Sequence, residues 1–358
     1  MKMIKSNTFL ERYKVNLRYG FKLQKPIMIL RAIRNYLKVL IYKEIPFRYA
    51  DISVDFACNL KCAHCFNKDM MNNVKNRNRH KLTVEDYYEV AEKCMEAGIF
   101  IFGFQGGEFF IRKDWEEIIK AFKPNKNIIT ITTNGVLLNT DILKKIKKLG
   151  VDVLMVSLDS SIPEEHDKFR GVNGAFQKAM ETINEALKLG INVSVNTTVY
   201  SGNIYSDGIK GLVELAKNKK IILNIILASP TGKWSGNYEV MITENDIEYL
   251  SKLFKESPYI RRDIDSNYFK WGCPAGNEVI YITPYGDVLP CPFMHFTLGN
   301  IKETSLKEIK KKALKYPIFN CYYPKCLACE DKNFIERYIS KTFGRDDLPI
   351  PIEEVFGE

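Results

Sequence analysis

The sequence lacks any long apolar run. Its most apolar stretch covers residues 27–41, and Arg31, Arg34 and Lys38 interrupt it. A membrane-spanning helix needs about 18 or more consecutive apolar residues, so the sequence excludes a helical integral membrane protein. The N-terminus also lacks a continuous apolar core and a small-residue cleavage site, which predicts no signal peptide and a cytoplasmic protein. Its thiols are then reduced and available as ligands.

The composition also lacks any strong bias. The 358 residues are 46% hydrophobic and 27% charged, which is ordinary for globular proteins. This excludes a disordered tail, a fibrous repeat and a small disulfide-stabilised protein. The length is enough for one large domain and one small domain.

Positive charge is concentrated at one end of the chain. Residues 1–50 hold twelve lysines and arginines against two glutamates, while the remaining residues carry equal numbers of each sign. This basic extension suits an acidic partner such as an anionic membrane surface, an acidic peptide or nucleic acid. The alternative is a helix that begins at Pro26 and packs on the main domain through one apolar face. The residues of that face are Leu30, Ile33, Leu37, Leu40 and Ile41.

From about residue 51, short β-branched segments alternate with longer amphipathic segments. This alternation is typical of βα units around a parallel sheet. It predicts helices over 84–96 after the N-cap Thr83, over 141–149 ended by Gly150, and over 175–189 ended by Gly190. Six units favour an α/β fold with a partial (β/α)6 barrel, whose functional residues follow the strands. The predicted strands are Ile52–Phe56, Ile99–Phe104, Ile128–Thr132, Val151–Ser157, Ile191–Thr197 and Ile221–Leu227.

These patterns divide the chain into four parts. We expect a basic extension over 1–50, the barrel over 51–265, a small cysteine-rich domain over 266–335 and a tail over 336–358. The last residues, from Asp346, are acidic and contain proline, so we expect them to be peripheral.

Nine cysteines form two groups, with Cys94 alone on an amphipathic helix, where we expect it to be buried. Directly after the first strand, Cys58, Cys62 and Cys65 follow the spacing CxxxCxxC. Three thiolates on one loop can hold three irons of a cubane iron–sulfur cluster and leave the fourth iron open to another ligand. The alternative is a structural zinc ion with His64 as its fourth ligand. His64 adjoins Cys65 and cannot easily turn toward the same ion, so the spacing favours the cluster.

This motif resembles that of the radical S-adenosylmethionine (SAM) superfamily. In that family the open iron binds the amino and carboxylate groups of SAM, and one electron cleaves SAM to a 5′-deoxyadenosyl radical. The radical abstracts hydrogen from an unactivated carbon. The family usually has an aromatic residue before the third cysteine, where this chain has His64. The resemblance implies an oxidoreductase that needs an external electron donor of the flavodoxin or ferredoxin type.

Further matches to the family follow later strands in the correct order. Gly106-Gly107-Glu108 resembles its GGE motif, in which Glu108 would bind the SAM ammonium group. Pro230-Thr-Gly232 follows the sixth strand, at a position where relatives contact SAM. The local alternative for Arg170, with His166 and Asp167, is a capping network before the next helix. The remaining residues that the resemblance assigns to SAM are Asn134, Ser157, Asp159, Arg170 and Asn196.

The second cysteine group lies near the C-terminus. Cys273, Gly286 and Cys291 have the spacing Cys-x12-Gly-x4-Cys, which resembles the start of SPASM domains, and Cys326 and Cys329 follow. The number of cysteines resembles the shortened "twitch" form with one auxiliary [4Fe–4S] cluster. Four thiolates close a cubane, so its role would be electron transfer. Cys321 is a possible replacement ligand, and a structural zinc ion is the alternative for the whole group.

The resemblance leaves the substrate open. Both dehydrogenation and bond formation fit, on a peptide, a sugar or a lipid-linked substrate taken at the inner face of the membrane through residues 1–50. Related families include aminoglycoside-pathway dehydrogenases, peptide maturases and hopanoid-modifying enzymes. The alternative from another class is a nucleic-acid-binding protein with structural metal sites. It is disfavoured because the chain beyond residue 50 is charge-balanced.

Overall fold

The computed structural model describes residues 2–20, 22–71, 73–262, 267–268 and 272–357, with side chains from Leu10 onward. Its strands are β1 (Tyr49–Ser53), β2 (Ile101–Gln105), β3 (Ile128–Thr133), β4 (Val153–Ser157), β5 (Val193–Val199), β6 (Ile222–Leu227), β7 (Ile260–Arg262), β8 (Val279–Ile282), β9 (Asp287–Leu289), β10 (Phe296–Thr297), β11 (Gly299–Asn300) and β12 (Ile350–Pro351).

The α-helices cover both ends of the chain and the connections between strands. They are α1 (Lys2–Gly20), α2 (Pro26–Leu37), α3 (Lys68–Met71), α4 (Val84–Glu96), α5 (Trp115–Ala121), α6 (Thr140–Leu149), α7 (Pro163–Arg170), α8 (Ala175–Lys188), α9 (Asp207–Lys219), α10 (Glu244–Glu256), α11 (Leu306–Ala313), α12 (Lys332–Arg337) and α13 (Ile352–Phe356). A π-helical turn extends α2 over Lys38–Tyr42, and 3₁₀ turns lie at Val74–Asn76, Phe109–Ile111, Gly232–Trp234, Tyr238–Val240 and Ile339–Thr342.

One large sheet organises the fold. Its strand order is β11-β9-β8-β1-β2-β3-β4-β5-β6-β7. The strands from β8 to β7 pair in parallel, while β9 pairs antiparallel with both β8 and β11. A second sheet pairs β10 with β12. The α/β fold with a largely parallel sheet is therefore confirmed.

Local signals explain the helix boundaries. Thr83 caps α4 in a capping box with Asp86, as its position before the apolar pattern predicts. Asn139 caps α6, and Gly150 ends it in a left-handed conformation with φ of 81°. These side-chain caps satisfy amide groups that a helix leaves unpaired at its first turn.

Among the parallel strands, β1 and β7 differ most from the sequence prediction. β1 begins at Tyr49 and ends at Ser53, whereas we predicted residues 52–56. Val54 and Phe56 are apolar because the loop after β1 is itself buried. β7 was not predicted, since three residues are too few to show a periodic pattern.

The C-terminal part joins the same sheet. β8 pairs with β1, so the sheet continues past the predicted barrel. The predicted boundary between residues 265 and 266 lies outside the described residues. The last residues are not peripheral, because Leu348, Ile350, Ile352 and Val355 are buried. Their apolar side chains, placed among acidic ones, give this segment an interior face.

Residues 10–20 and 22–48 form an arm that covers the N-terminal ends of the strands. Val15 and Tyr19 of α1 pack on Val153 and Ile222, and Met28 of α2 packs on Phe100 and Ile128. The arm therefore belongs to the folded body. In the described residues, no helix is both long enough and apolar enough to cross a membrane.

α2 packs on the barrel, but not through the apolar face that the sequence predicted. Asn35 and Met28 face the barrel, and the Asn35 side chain donates to the Gly98 carbonyl at 2.8 Å. The apolar residues that we expected to pack, such as Leu30 and Leu37, are exposed. A buried amide and buried cations fix this orientation because they need partners that only the barrel supplies.

Lys25 is the strongest of these anchors. Its ammonium group is buried and donates to Asp152 and to the Asn127 carbonyl, the latter at 2.9 Å. Asp152 also accepts from the Ile129 amide at 2.8 Å. Burial lowers the pKa of Lys25, although Asp152 opposes that shift. The pair therefore joins the arm to the start of β3 and β4.

We expect Lys25→Met to lower the free energy of unfolding by about 3–5 kcal/mol, because it leaves the Asp152 carboxylate buried without its cation. Urea unfolding checks this value. The matched control is Lys14→Met, which breaks an exposed pair with Glu11 and should change stability little. Equal effects of the two substitutions would show that the buried pair does not anchor the arm.

Candidate active site

The loop that carries Cys58, Cys62 and Cys65 follows β1 and is held by backbone hydrogen bonds from other elements. The amide of Lys61 donates to the Arg170 carbonyl at 3.1 Å. On its far side, the Cys65 carbonyl accepts from the Lys233 amide at 3.0 Å. The end of α7 and the turn after β6 therefore fix the loop from two directions.

Glycines allow this close packing. A Cβ at Gly107 would lie 1.9 Å from the Ala57 carbonyl oxygen, and one at Gly232 would lie 2.3 Å from that of Cys65. Gly232 also has a φ of +63°, which side chains disfavour. The GG pair and the Pro-Thr-Gly turn that we singled out in the sequence thus approach the cysteine loop directly.

The three thiols line a cavity of about 200 Å³ at the C-terminal ends of the strands. Burial raises the pKa of the Cys58 thiol to about 11. Burial also raises the pKa of Cys65. Buried thiols of this kind become thiolates when a metal displaces their protons. The donor set therefore suits metal binding better than free nucleophilic catalysis.

Most of the predicted SAM residues reach this cavity. Glu108 and Asp159 are not among its lining residues and lie behind its wall. The predicted residues that line it are Gly106, Gly107, Asn134, Ser157, Arg170 and Asn196.

Glu108 connects the ends of β2 and β3. Its carboxylate accepts from the Thr133 hydroxyl and the Asn134 amide, both at 2.8 Å, and from the Phe110 amide at 3.3 Å. Burial raises the pKa of Glu108 despite these donors. In the described structure Glu108 thus positions the cavity wall, and its contact with a SAM ammonium group stays a prediction.

Asp159 and Arg170 form a buried ion pair beside the cysteine loop. The Arg170 guanidinium donates to Asp159 at 2.5 Å and to the Cys62 sulfur at 3.7 Å. Although burial raises it, the pKa of Asp159 lies below its ordinary value because Arg170 is adjacent. Arg170 therefore places a positive charge next to the Cys62 sulfur.

Of the three residues that could form a capping network before α8, Asp167 is the one that caps the helix. Its carboxylate accepts from the Gly174 and Phe176 amides at 2.6 and 2.8 Å, so it caps the start of α8. His166 instead accepts from the Asp159 amide at 3.1 Å. The three residues of this segment therefore have separate roles, and only Arg170 lines the cavity.

His64 acts as an aromatic residue. Its ring stacks on Phe169 with 4.5 Å between centroids and 14° between planes, and Trp234 lies 6.0 Å away. Burial lowers the pKa of His64 to about 3, so the ring is neutral at physiological pH. This explains how His64 can occupy a position that is usually aromatic. In the described residues its Nδ1 atom has no hydrogen-bond partner.

Four cysteines of the C-terminal part also come together. The Cys326 thiol is hydrogen-bonded to both Cys273 and Cys329, and Cys291 interacts electrostatically with Cys273. Cys273 and Cys329 are buried. The hairpin of β8 and β9 supplies Cys273 and Cys291 at its two ends.

Cys321 and Cys94 differ from this group. The Cys321 side chain is exposed and donates to the Ile318 carbonyl at 3.6 Å, while Cys94 is buried in the core, as expected. Across the described part of the chain, no three histidine, cysteine, aspartate or glutamate side chains are arranged around a single metal ion.

A larger cavity of about 660 Å³ adjoins the second cysteine group. Cys273, Cys291 and Cys326 lie on its wall, and α1 contributes to the opposite end. The residues that line both this cavity and the smaller one are Tyr49, Asp51, Met155, Pro292 and Phe293. The two cavities are thus neighbours across a shared wall.

Sequence patterns did not single out this wall. The Tyr49 hydroxyl donates to Asp51 at 2.6 Å, and both residues alternate on β1 with the buried Ala50 and Ile52. A polar residue at every second position of a strand between two other strands is the signal that could have found them. We missed it because the strand was predicted to begin three residues later.

The residues present fit a cluster and SAM. Three thiols lie on one loop, the GG pair leaves backbone uncovered beside them, and His64 Nδ1 is unpaired within the described structure. A structural zinc site would require a fourth ligand, and His64 is instead stacked on Phe169.

Comparisons with known proteins agree with this geometry. Residues 52–216 match the Radical SAM superfamily, and residues 273–330 match an iron–sulfur cluster-binding domain called SPASM. The Fe-coproporphyrin III synthase of Methanosarcina barkeri is 32% identical over 293 residues, which cover 70% of each chain. The antilisterial bacteriocin subtilosin biosynthesis protein AlbA of Bacillus subtilis is 26% identical over 311 residues, covering 82% of this chain and 66% of AlbA.

A solved structure shares the fold. SuiB of Streptococcus suis, bound to its precursor peptide SuiA, superposes with a TM-score of 0.60 and 18% identity, over 84% of this chain and 72% of SuiB. At this identity the likeness concerns the fold. Together with the ordered cysteine motifs, these matches show that the chain belongs to the radical SAM superfamily and carries a SPASM-type domain, so its cofactors are SAM and iron–sulfur clusters.

Proposed function

We propose that this chain reductively cleaves SAM and abstracts a hydrogen atom from an unactivated carbon of a substrate held in the larger cavity. The observation that carries this proposal is the wall shared by the two cavities, one of which is lined by Cys58, Cys62 and Cys65 and the other by Cys273, Cys291 and Cys326. When bound, the cluster and SAM supply a 5′-deoxyadenosyl radical. An external flavodoxin- or ferredoxin-type protein supplies the electron for cleavage.

The residues of the smaller cavity bind and orient SAM. Cys58, Cys62 and Cys65 would hold the [4Fe–4S] cluster, and the uncovered backbone of Gly106 and Gly107 would lie along SAM. Polar groups from Asn134, Ser157 and Asn196 face the same space. Trp234 and His64, whose rings are tilted against each other, lie on one side of this cavity, where they help to exclude water from a reactive intermediate.

The second cysteine group would accept the remaining electron. Loss of a hydrogen atom, then of one electron and one proton, completes a two-electron oxidation of the substrate. Cys273, Cys291, Cys326 and Cys329 would hold an auxiliary [4Fe–4S] cluster beside the substrate cavity. Asp51 supplies a carboxylate on the shared wall that can accept the proton. This arrangement serves dehydrogenation and bond formation equally.

The lining of the larger cavity combines apolar side chains with polar ones that can orient a substrate. Thr130, Ser194 and Asn224 lie on its wall, together with arginines from β7 and the arm. Hydroxyl and amide groups of this kind suit a sugar, a peptide segment or the polar head of a lipid-linked substrate, and the volume is typical of small-molecule sites. The names of the two relatives refer to different kinds of molecule, a porphyrin and a bacteriocin. We therefore infer the substrate class from the cavity lining and not from those names.

The cluster assignment has a direct test. Replacing Cys58, Cys62 and Cys65 together with alanine should abolish 5′-deoxyadenosine formation from SAM under anaerobic reduction with dithionite, because the open iron is lost. The iron and sulfide of the auxiliary cluster should remain. Cys94→Ala is the control and should keep SAM cleavage. Cleavage by the triple variant would refute the proposed SAM site.

Glu108→Gln should weaken SAM binding by roughly one to two orders of magnitude, since it removes a charge that is usually worth about 1.5–3 kcal/mol in a hydrogen bond. The glutamine amide would also present a donor to the Asn134 or Phe110 amide, so the wall should loosen. Isothermal calorimetry measures the affinity. Glu117→Gln, on the exposed side of α5, is the matched control. An unchanged dissociation constant would remove Glu108 from the SAM site.

Single substitutions distinguish the cysteines that bind the auxiliary cluster from those that do not. Cys329→Ala should lose the iron of one cluster while 5′-deoxyadenosine still forms, because Cys329 is buried with Cys326. Cys321→Ala should keep both clusters, because its thiol is exposed. Iron quantitation after anaerobic reconstitution distinguishes them. Loss of iron from Cys321→Ala would instead assign that thiol as a ligand.

A further inference from the structure

The outer side of the arm is an apolar surface that the barrel does not cover. Eight large apolar side chains between Leu23 and Tyr42 are 43–74% exposed, and we call this surface the arm face. Leu10, Tyr13 and Leu17 of α1 add a second exposed stripe. Soluble proteins rarely expose so many neighbouring large apolar residues unless they bind something.

The barrel itself cannot bury the arm face. α2 is held with Met28 and Asn35 inward, and Asn35 donates to the Tyr268 hydroxyl at 2.8 Å. Arg31, on the same side, donates to the Asn127 side chain and to the Ile99 carbonyl. Turning the helix to cover its leucines would leave these polar groups buried without partners.

A basic rim flanks the arm. In parallel βα units, helices end at the same side of the sheet where the following strands begin, which is the side that the arm covers. We define the rim as Lys147 and Lys148 at the end of α6 with Lys217, Lys219 and Lys220 at the end of α9. The arm reaches both places, because Lys25 donates to the Gly150 carbonyl and Arg18 to that of Lys220.

Negative charge is scarce on the arm. Its two glutamates, Glu11 and Glu44, are exposed to water and each lies near a lysine, at 2.9 Å from Lys14 and 3.7 Å from Lys38. Arg34 and Lys43 are exposed beside the leucines. The arm face is therefore apolar in its centre and is surrounded by an excess of positive charge, although Glu92 lies near Arg31 and Glu214 pairs with Lys217 of the rim.

We propose that the arm face binds the surface of an anionic lipid bilayer. Apolar side chains on an interfacial helix insert at the headgroup boundary, and surrounding lysines and arginines are attracted to anionic lipids. A second copy of this chain would bring two positive surfaces together, so charge disfavours a dimer. Nucleic acid offers no apolar region to cover the leucines. This proposal does not depend on the substrate or on SAM cleavage.

Co-sedimentation of the full-length, cluster-loaded protein with vesicles tests this proposal. We expect binding to phosphatidylcholine vesicles that contain phosphatidylglycerol and at least tenfold weaker binding to phosphatidylcholine alone. High salt should weaken the binding, because it screens the attraction. The substitutions Leu30→Ser, Leu37→Ser and Ile41→Ser, made together, should reduce binding at least tenfold. All three sites are exposed, so folding should be preserved.

Matched controls distinguish binding through the arm face from a general effect of exposed apolar residues or of net charge. Val74→Ser, Tyr88→Ser and Leu137→Ser, also exposed but on other elements, should leave binding unchanged. Arg34→Glu with Lys43→Glu should weaken binding more than Lys144→Glu with Lys307→Glu, which changes the net charge equally. Equal binding of the leucine variant and its control would overturn the proposal. So would a dimer that the leucine substitutions dissociate, or binding to RNA but not to vesicles.

Discussion

The fold depends on how closely backbone can approach the loop that carries Cys58, Cys62 and Cys65. Three elements far apart in sequence press main chain against this loop, and each does so at a glycine: Gly107, Gly171 and Gly232. A Cβ at Gly171 would lie 2.8 Å from the Lys61 carbonyl oxygen. Side chains at these positions would push the thiols apart from the strands that carry the SAM-facing groups. The fold therefore places these three glycines around the cysteine loop.

Electrostatics reinforces this packing from two sides. Arg170 links Asp159 at the end of β4 to the Cys62 thiol, and Glu108 links the ends of β2 and β3. Both are buried ionisable groups whose partners lie on other elements of the fold. Such groups specify one arrangement, because any other would leave a charge without compensation.

Local signals in the sequence predicted much of this structure. The CxxxCxxC spacing, the Thr83 cap and the Gly150 end of a helix are short patterns whose physical cause lies within a few residues. Contacts between distant strands could not be predicted from such short patterns. The prediction of which side of α2 packs on the barrel was wrong, because a periodic apolar face does not show whether it packs inward. Asn35, a buried amide on the opposite side, decides the orientation through partners more than sixty residues away.

The first helix is also the floor of the larger cavity, where Arg12, Asn16 and Tyr19 lie on the wall. Successive residues on an α-helix are about 100° apart, so one residue inserted or deleted within α1 would change which of its side chains face the cavity. The chemistry at the other end of the barrel would be untouched by such a change. The floor of the larger cavity therefore comes from an element that contributes no residue to the lining of the smaller cavity, so the sequence of α1 can change without changing that lining.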